Sequence, residues 1–183
     1  MMWETDSGGP PPPEEFKNDF QTPPPVCNYM ASLIPPQAKT ILEPTPGRGN
    51  LVRAVQSAGF PVTAADDFWD LDFKQEWDCV VCNLPFSGKT FYNIPDAIPT
   101  EGMTVYYKAL GKLLAMTGCM IVLCPWFTVI DSDSRLRSLI AQGLKSVTHL
   151  PRKTFGYCRI QVCVVVVEKS YSGAIQFNYF NPR

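Results

Sequence analysis

Residues 42–51, LEPTPGRGNL, place a Gly-x-Gly turn between a short apolar strand and a helix. Gly47 and Gly49 lack a β-carbon, so the backbone can turn tightly here and a flat ligand can approach it closely. Ligand sites at the carboxyl ends of strands are typical of α/β sheets. The segment therefore predicts an α/β fold with a binding site at this turn.

Two acids are candidates for ligand contacts at the predicted turn. Asp66 ends the next strand and follows Gly47 at about the 20-residue spacing that is typical of an acid holding ribose hydroxyls. Glu43 lies just before the turn, where it would face the cationic part of a ligand. A dinucleotide site is disfavoured, because Leu51 and Val52 stand where the third glycine of Gly-x-Gly-x-x-Gly belongs. The alternative is a purely structural turn with a solvated Asp66.

A second polar turn ends the predicted strand at residues 77–82. Asn83, Leu84, Pro85 and Phe86 follow that strand with an amide, a rigid proline and an aromatic ring. Such a turn can hold a flat polar group between hydrogen-bond acceptors and a ring face. The alternative is an ordinary loop, since Asn-x-Pro-aromatic turns occur in many loops.

Helix and strand patterns alternate along most of the chain. This alternation implies an α/β layer with a mainly parallel sheet. We predict helices over residues 23–34, 50–58, 102–116 and 134–142, and strands over residues 40–43, 61–65, 77–82, 119–124, 146–150 and 160–168.

Composition limits the size of the core and the type of partner. The 183 residues are 45% hydrophobic, which is enough for one core but hardly for two. A formal net charge of −1 gives no overall field for coating nucleic acid, so any such contact must be local. No apolar run approaches the roughly 20 residues of a membrane helix, and a signal-peptide pattern is absent. We expect a soluble, cytoplasmic protein with no membrane partner.

The cysteines and the histidine do not form a recognisable metal site. The seven cysteines lie mostly in apolar, strand-like runs, where a reduced thiol packs as a small hydrophobe. Cys79 and Cys82 form a Cys-x-x-Cys pair, but no second pair or nearby histidine completes a zinc site. The single histidine, His149, lies in a predicted strand away from both turns. We therefore expect no metal, and a structural role for His149.

Three motifs occur in one order along the chain: Phe20-Gln-Thr-Pro23, then LEPTPGRGNL, then Asn83-Leu-Pro-Phe86. Together they resemble the adenine-specific (amino) DNA methyltransferase family, in which an N-terminal motif precedes the cofactor motif. Residues 150–155, LPRKTF, are similar to that family's closing catalytic-domain segment. The resemblance covers about residues 20–170. It implies a Rossmann-like, seven-stranded S-adenosylmethionine-dependent methyltransferase fold, mostly parallel, with an antiparallel last strand.

The domain boundaries follow from composition and from this resemblance. Residues 1–18 are rich in proline and cannot supply a packed core, so they predict a flexible tail. Residues 19–183 would form the catalytic domain, with no separate target-recognition domain.

The resemblance implies that S-adenosylmethionine is the cofactor. Thr22 and Pro23 would lie near its methionine end, Glu43 near its amino group, and Asp66 on its ribose. The full set of expected cofactor-binding residues is Phe20, Thr22, Pro23, Glu43, Pro44, Thr45, Gly47, Gly49, Asn50, Asp66 and Asp67.

The same comparison assigns catalysis to the second turn. The exocyclic amine of adenine is a weak nucleophile because its lone pair is delocalised into the ring. The side-chain oxygen of Asn83 and the carbonyl of Leu84 would hold its hydrogens, while Pro85 stiffens the turn. Phe86 would stack on a base that is rotated out of its helix. The family pattern is Asn/Asp-Pro-Pro-Tyr/Phe, so Leu84 keeps the carbonyl acceptor but loses some rigidity.

Contacts to the substrate are expected from both the second turn and the closing segment. The expected substrate-binding residues are Phe86, Phe155, Arg152 and Lys153, and a basic rim would add Arg135, Arg137 and Lys145. About fifteen residues follow the last predicted strand, too few for groove contacts and phosphate clamps together.

The expected partner is nucleic acid, with DNA favoured, and three arrangements remain open. The protein would have relaxed specificity, act on single-stranded DNA or RNA, or work with a specificity subunit. Other classes also remain: a protein glutamine methyltransferase, whose substrate amide poses the same electronic problem, and a catalytically silent cofactor-binding subunit.

Overall fold

The computed structural model describes residues 21–86, 91, 93–155 and 160–181. These residues form one seven-stranded sheet in the order β2-β1-β3-β4-β6-β5-β7. The predicted tail over residues 1–18, and also Phe20, lie outside the described residues. The strands are β1 (Ile41–Glu43), β2 (Thr63–Ala64), β3 (Trp77–Asn83), β4 (Thr117–Pro125), β5 (Leu144–His149), β6 (Val162–Glu168) and β7 (Gln176–Tyr179).

One strand runs against the others. β6 lies between β4 and β5 and pairs antiparallel with both, whereas the other neighbouring pairs in the sheet are parallel. Its run of four valines, Val164–Val167, is buried on both faces, as expected for a central strand. The predicted Rossmann-like, mostly parallel fold with an antiparallel strand near its end is confirmed.

The antiparallel strand is not the last one in the chain. β7 follows it and pairs in parallel with β5 at the edge of the sheet. β7 was not predicted, because it has only four residues, all of them exposed, and therefore carries no pattern of burial. The seventh strand thus comes from the C-terminal segment that had been expected to follow the sheet.

Helices cover both faces of the sheet. The helix α3 (Thr104–Met116) and the short helix after β4 contribute to one apolar layer, which we call the α3 layer and which contains Tyr106 and Leu113. The opposite layer, here the α1 layer, contains Val26 and Met30. The helices are α1 (Pro24–Ser32), α2 (Asn50–Ser57), α3 (Thr104–Met116), α4 (Trp126–Ile130) and α5 (Asp133–Ala141), with 3-10 turns at Phe68–Asp70 and Arg152–Thr154.

The cysteines pack as predicted. Every cysteine that the structure describes is buried and free of disulfides. Cys79 lies in the α1 layer and Cys82 in the α3 layer, because residues three apart on a strand point to opposite faces. Their Cys-x-x-Cys spacing therefore cannot direct both thiols at one ion. Within the described ranges no three His, Cys, Asp or Glu side chains are grouped so that they could hold a metal.

The sheet topology determines where the predicted motifs meet. β1, β3 and β4 are parallel neighbours, so their carboxyl ends lie along one edge of the sheet. Glu43, Asn83 and Pro125 are the last residues of these three strands. Among the described residues no helix is long and apolar enough to cross a membrane.

Candidate functional site

The glycine turn after β1 has the backbone that its sequence requires. Gly47 has φ 52° and Gly49 has φ 75°, both in the left-handed region where a side chain is strained. A β-carbon at Gly47 would also meet the side-chain nitrogen of Gln21 at 3.0 Å. The side-chain oxygen of Gln21 accepts a hydrogen bond from the Arg48 amide, 3.2 Å away. The segment before α1 therefore lies directly against the turn.

Glu43 is a buried acid at the start of the turn, with 1% of its surface exposed. Its Oε1 accepts hydrogen bonds from the backbone nitrogen of Thr45 at 2.9 Å and from the Thr45 hydroxyl at 3.3 Å. Burial raises the pKa of Glu43 to about 8, although the two Thr45 bonds act in the opposite direction. The carboxyl group is therefore largely protonated at neutral pH until a cation comes close to it.

Thr45 also connects the turn to the second motif. Its hydroxyl lies 3.3 Å from the backbone carbonyl of Asn83, within hydrogen-bonding distance. The glycine turn and the end of β3 are thus in direct contact, as their positions on neighbouring parallel strands allow.

Thr22 joins three segments at one buried position. Only 5% of Thr22 is exposed. Its hydroxyl accepts a hydrogen bond from Nδ2 of Asn83 at 3.1 Å, and its carbonyl accepts one from Nδ2 of Asn50 at 3.2 Å. The thiol of Cys27 also donates to that carbonyl, at 3.3 Å. The N-terminal motif, the glycine turn and the Asn-Leu-Pro-Phe turn therefore meet at Thr22.

The bond to Thr22 fixes the orientation of the Asn83 amide. An Asn side chain has a donor nitrogen and an acceptor oxygen, and the nitrogen here faces Thr22. The position of the acceptor oxygen is therefore set by a buried hydroxyl. Thr22 was predicted to lie beside the cofactor, but its contact with Asn83 was not predicted.

The other residues of the second turn differ in how deeply they are buried. Leu84 is 1% exposed and packs in the α3 layer, so its side chain acts as a core residue. Pro85 and Phe86 are half-buried at the edge of the sheet. The Phe86 ring packs edge-on against Tyr106, with ring centroids 5.7 Å apart and planes at 83°. Tyr106 thereby fixes the ring that had been expected to stack on a base.

The two acids after β2 have different surroundings. Oδ1 of Asp67 accepts a hydrogen bond from the Trp69 amide at 2.8 Å, which caps the 3-10 turn Phe68–Asp70. Its Oδ2 accepts a hydrogen bond from the side-chain amide of Asn93. Asp66 is exposed. It lies close to the glycine turn because the amide of Ala65 donates to the Glu43 carbonyl at 3.1 Å.

The expected substrate-binding residues are distributed over more than one region. Phe155 is 7% exposed and packs in the α1 layer, so its role in a base pocket stays a prediction. Arg152 and Lys153 are exposed in the 3-10 turn that follows β5. They lie at the carboxyl end of that parallel strand and hence at the same edge as Asn83.

The predicted basic rim does not form one continuous patch. Lys145 lies near the amino end of β5 and pairs with Glu168 at 2.7 Å, a bond that also raises the pKa of Lys145. Arg137 pairs with Asp133 at 2.9 Å. The guanidinium carbon of Arg135 lies 5.1 Å from the centroid of the Tyr107 ring. The sequence alone does not predict that these cations lie apart, because it does not show the direction in which β5 runs through the sheet.

Three aromatic residues near this edge were not predicted as part of a site. Trp126 follows β4 directly, as Asn83-Leu-Pro-Phe follows β3, and this shared position was the signal available in the sequence. Tyr106 lies in the helix that was predicted over residues 102–116, and it is buried. Tyr179 lies on the strand that sequence analysis missed.

Solved structures with a similar fold include methyltransferases. A Listeria monocytogenes protein assigned to class I of the S-adenosylmethionine-dependent methyltransferases matches with a TM-score of 0.65 at 16% identity, over 89% of this chain and 66% of that one. The type I restriction-modification methyltransferase subunit from Streptococcus thermophilus matches with a TM-score of 0.61 at 18% identity, over 90% of this chain and 49% of that one. The M protein of the type I restriction enzyme EcoKI has a TM-score of 0.62 at 11% identity, over 82% and 44%.

These similarities establish the fold. The chain spans less than two thirds of the length of each of these three proteins. Neither a protein-family model nor a curated protein matches the sequence at a significant level.

Proposed function

We propose that the protein transfers a methyl group from S-adenosylmethionine to the exocyclic amine of adenine in nucleic acid, with DNA as the favoured substrate. The observation that carries this proposal is the contact of three motifs at one sheet edge through Thr22. Its hydroxyl bonds to Asn83 and its carbonyl to Asn50, so the cofactor turn and the proposed catalytic turn share one buried anchor.

The residues at the glycine turn fit S-adenosylmethionine, which supplies a methyl group on a sulfonium ion. Glu43 suits its cationic amino group, because a buried carboxyl with a pKa of about 8 regains its charge when a cation binds. The first turn of α2, which has no side-chain cap, suits its carboxylate. Asp66 is exposed beside the turn, where it can accept hydrogen bonds from ribose hydroxyls. Thr22, Pro23, Pro44, Thr45, Gly47, Gly49, Asn50 and Asp67 complete the proposed cofactor set.

Asn83 and Leu84 would activate the adenine amine. The Asn83 side-chain oxygen and the Leu84 backbone carbonyl accept the two amine hydrogens and draw the nitrogen toward tetrahedral geometry. The nitrogen lone pair then forms the new nitrogen–carbon bond while the carbon–sulfur bond breaks. One amine hydrogen leaves as a proton to solvent after the transfer. Catalysis here depends mainly on positioning.

Phe86 would hold the base in position. Its ring packs against the buried Tyr106, which holds the ring in place. Because Phe86 is only half-buried, part of the ring remains exposed for contact with a base. Stacking on an aromatic ring contributes roughly 1–3 kcal/mol per base. The buried side chain of Leu84 holds the backbone of the same turn against the α3 layer.

Mass spectrometry of nucleosides tests the proposal directly. The purified protein is incubated with methyl-labelled S-adenosylmethionine and with duplex DNA, single-stranded DNA, RNA or a glutamine-containing protein extract. We expect labelled N6-methyladenine from DNA, and its loss in Asn83→Ala. Asn28→Ala is the matched control, because Asn28 is exposed on α1 and is not among the proposed site residues. Label in RNA or in protein glutamine would replace the proposed substrate, and cofactor binding without any transfer would favour a silent subunit.

A further inference from the structure

The edge strand β7 presents aromatic rings to solvent. Phe177 is 64% exposed and Tyr179 is 68% exposed. Residues two apart on a strand share a face, so both rings lie on the same side of β7. In register they stand beside Val147 and His149 of β5, respectively, and Val147 belongs to the α3 layer. The rings therefore extend the face of the sheet on which Phe86 contacts Tyr106.

The Tyr179 ring belongs to an aromatic group with His149 and Trp126. The Tyr179 ring stacks on His149 with centroids 5.5 Å apart and planes at 13°. The Trp126 ring packs edge-on against the His149 ring, with centroids 5.5 Å apart and planes at 80°. His149 thus supports an exposed aromatic ring, and it lies at the same sheet edge as the Asn83 turn, not away from it as expected.

The aromatic group lies on the edge that carries the proposed catalytic turn. Trp126 follows the carboxyl end of β4, while His149 and Tyr179 end β5 and β7, and all three strands run parallel to β3. Tyr179 is four strands from Asn83, a separation of about 19 Å at roughly 4.8 Å per strand. That length corresponds to about five or six nucleotides at the 3.4 Å rise of a stacked strand.

The charges along this edge suit a phosphate backbone. Arg152 and Lys153 are exposed in the turn that directly follows His149 and Leu150. The segment from Ser170 to Asn181, which includes β7, contains no acidic residue. Asp131 and Asp133 lie near the start of α5, and Asp133 is already paired with Arg137. An anionic strand that passes over β7 therefore meets cations and no carboxylate from β7 itself.

We infer that Tyr179, supported by His149 and Trp126, and its neighbour Phe177 on the same face of β7 form a stacking platform for unpaired bases, so that the substrate is single-stranded DNA. The inference rests on the proposed function, because it extends the same site along the sheet edge. Flat aromatic faces bind bases of any sequence, whereas the base faces of a duplex are buried in its own stack. Arg152 and Lys153 contact the phosphates of the bound strand.

Fluorescence anisotropy with labelled oligothymidylate of about 12 nucleotides tests the platform. This probe contains no adenine, so binding can be measured whether or not the protein is a methyltransferase. We expect the parent protein to bind it more tightly than a thymidine–adenine duplex of the same length. Tyr179→Ala and Phe177→Ala should each weaken binding by about 5- to 100-fold. Lys153→Gln should lower the slope of log affinity against log salt by about 0.7.

Three controls separate stacking from other effects. Tyr179→Phe should bind like the parent, because it keeps the ring, and Phe177→Leu should bind weakly although it keeps apolar bulk. Tyr171→Ala removes an aromatic ring near Lys145, close to the other end of β5, and should leave binding unchanged. Thermal unfolding of each variant checks that the fold is intact.

The outcomes distinguish this inference from the proposed function. Unchanged binding in both alanine variants, or equal affinity of the parent for duplex, overturns the platform even if adenine is methylated. Normal ring-dependent binding without any methyl transfer overturns the proposed function and leaves the platform. A dimer that Tyr179→Ala dissociates without affecting the affinity for oligothymidylate would show that this face binds a second copy instead.

Discussion

The hydroxyl of Thr22 and the side-chain nitrogen of Asn83 lie 3.1 Å apart, although the two residues are 61 positions apart in sequence. Thr22 is buried, so neither group can exchange this bond for water without cost. The contact determines which end of the Asn83 amide faces the N-terminal motif. Thr22 is therefore proposed as a positioning residue for Asn83.

Thr22→Val should impair turnover more than cofactor affinity. Valine keeps the shape but removes the acceptor, which leaves the Asn83 nitrogen poorly satisfied and should lower the free energy of unfolding by about 1–3 kcal/mol. We expect kcat to fall about 10- to 100-fold through misorientation of the Asn83 oxygen. Thr22→Ser should restore most of it. Kinetics of methyl transfer check this, and an unchanged kcat in Thr22→Val would remove the positioning role.

Glu43 should make the folded protein less stable as the pH rises from about 4.5 to about 8. Its pKa is about 8 in the folded protein against an ordinary value of 4.5, so over this range the folded state holds a proton that the unfolded state has released. Stability should fall by on the order of 1 kcal/mol per pH unit and by a few kcal/mol over the whole range. Glu43→Gln should lack this loss. Denaturant unfolding of both proteins at several pH values measures the difference, and parallel curves would contradict the assignment.

Binding of a cationic ligand beside Glu43 should release a proton. The carboxyl is mostly protonated at pH 7, and a nearby ammonium group favours its charged form. Calorimetry of S-adenosylhomocysteine binding in buffers of different ionisation enthalpy should show release of close to one proton per site at pH 7. Glu43→Gln should bind more weakly and release none. Equal proton release by both proteins would place the titrating group elsewhere.

Asp66 and Asp67 should have separable effects. Asp66→Ala removes an exposed acid and should weaken S-adenosylhomocysteine binding by about 1–3 kcal/mol, with stability within roughly 0.5 kcal/mol of the parent. Asp67→Ala removes a cap and the Asn93 contact, so it should destabilise the fold by about 1 kcal/mol. Calorimetry together with thermal unfolding distinguishes the two. A loss of stability in Asp66→Ala with unchanged affinity would exclude the ribose contact.

Replacing Leu84 by a smaller residue should lower the stability of the protein. Its side chain is 1% exposed in the α3 layer, so Leu84→Ala should destabilise the protein by about 2–5 kcal/mol. Leu84→Pro stiffens the turn but also removes buried apolar volume, and we expect a net loss of stability. Leu84→Met, which keeps the volume, is the control. Urea unfolding measures all three, and full stability in Leu84→Pro would show that rigidity outweighs packing here.

Sequence alone predicted the elements with long apolar runs. The strand predicted at residues 77–82 is Trp77–Asn83, and the helix predicted at 102–116 is Thr104–Met116, because sustained burial leaves a clear pattern. α4 was missed, since its five residues, WFTVI, are apolar, aromatic or β-branched and resemble a strand. β7 was missed because it is short and exposed.

The motifs of the candidate site were predicted from the sequence, but the contacts between them were not. The glycine turn and the Asn83 turn share an edge because their strands are parallel neighbours, which the α/β pattern implies. The bond between Thr22 and Asn83 depends on how α1 packs, and no local pattern encodes it. The separation of Lys145 from Arg152 likewise depends on the direction of β5 in the sheet.

The position of β6 also constrains how the chain can fold during synthesis. Within the described sheet, β6 is the strand that pairs with both β4 and β5, and it thereby connects β5 and β7 to β1–β4. It is synthesised after both β4 and β5. Until residue 168 has emerged from the ribosome, the nine-residue β4 has an unpaired, largely apolar edge, the kind of edge on which chains aggregate. Nascent chains that pause between residues 125 and 162 should therefore depend most on chaperones.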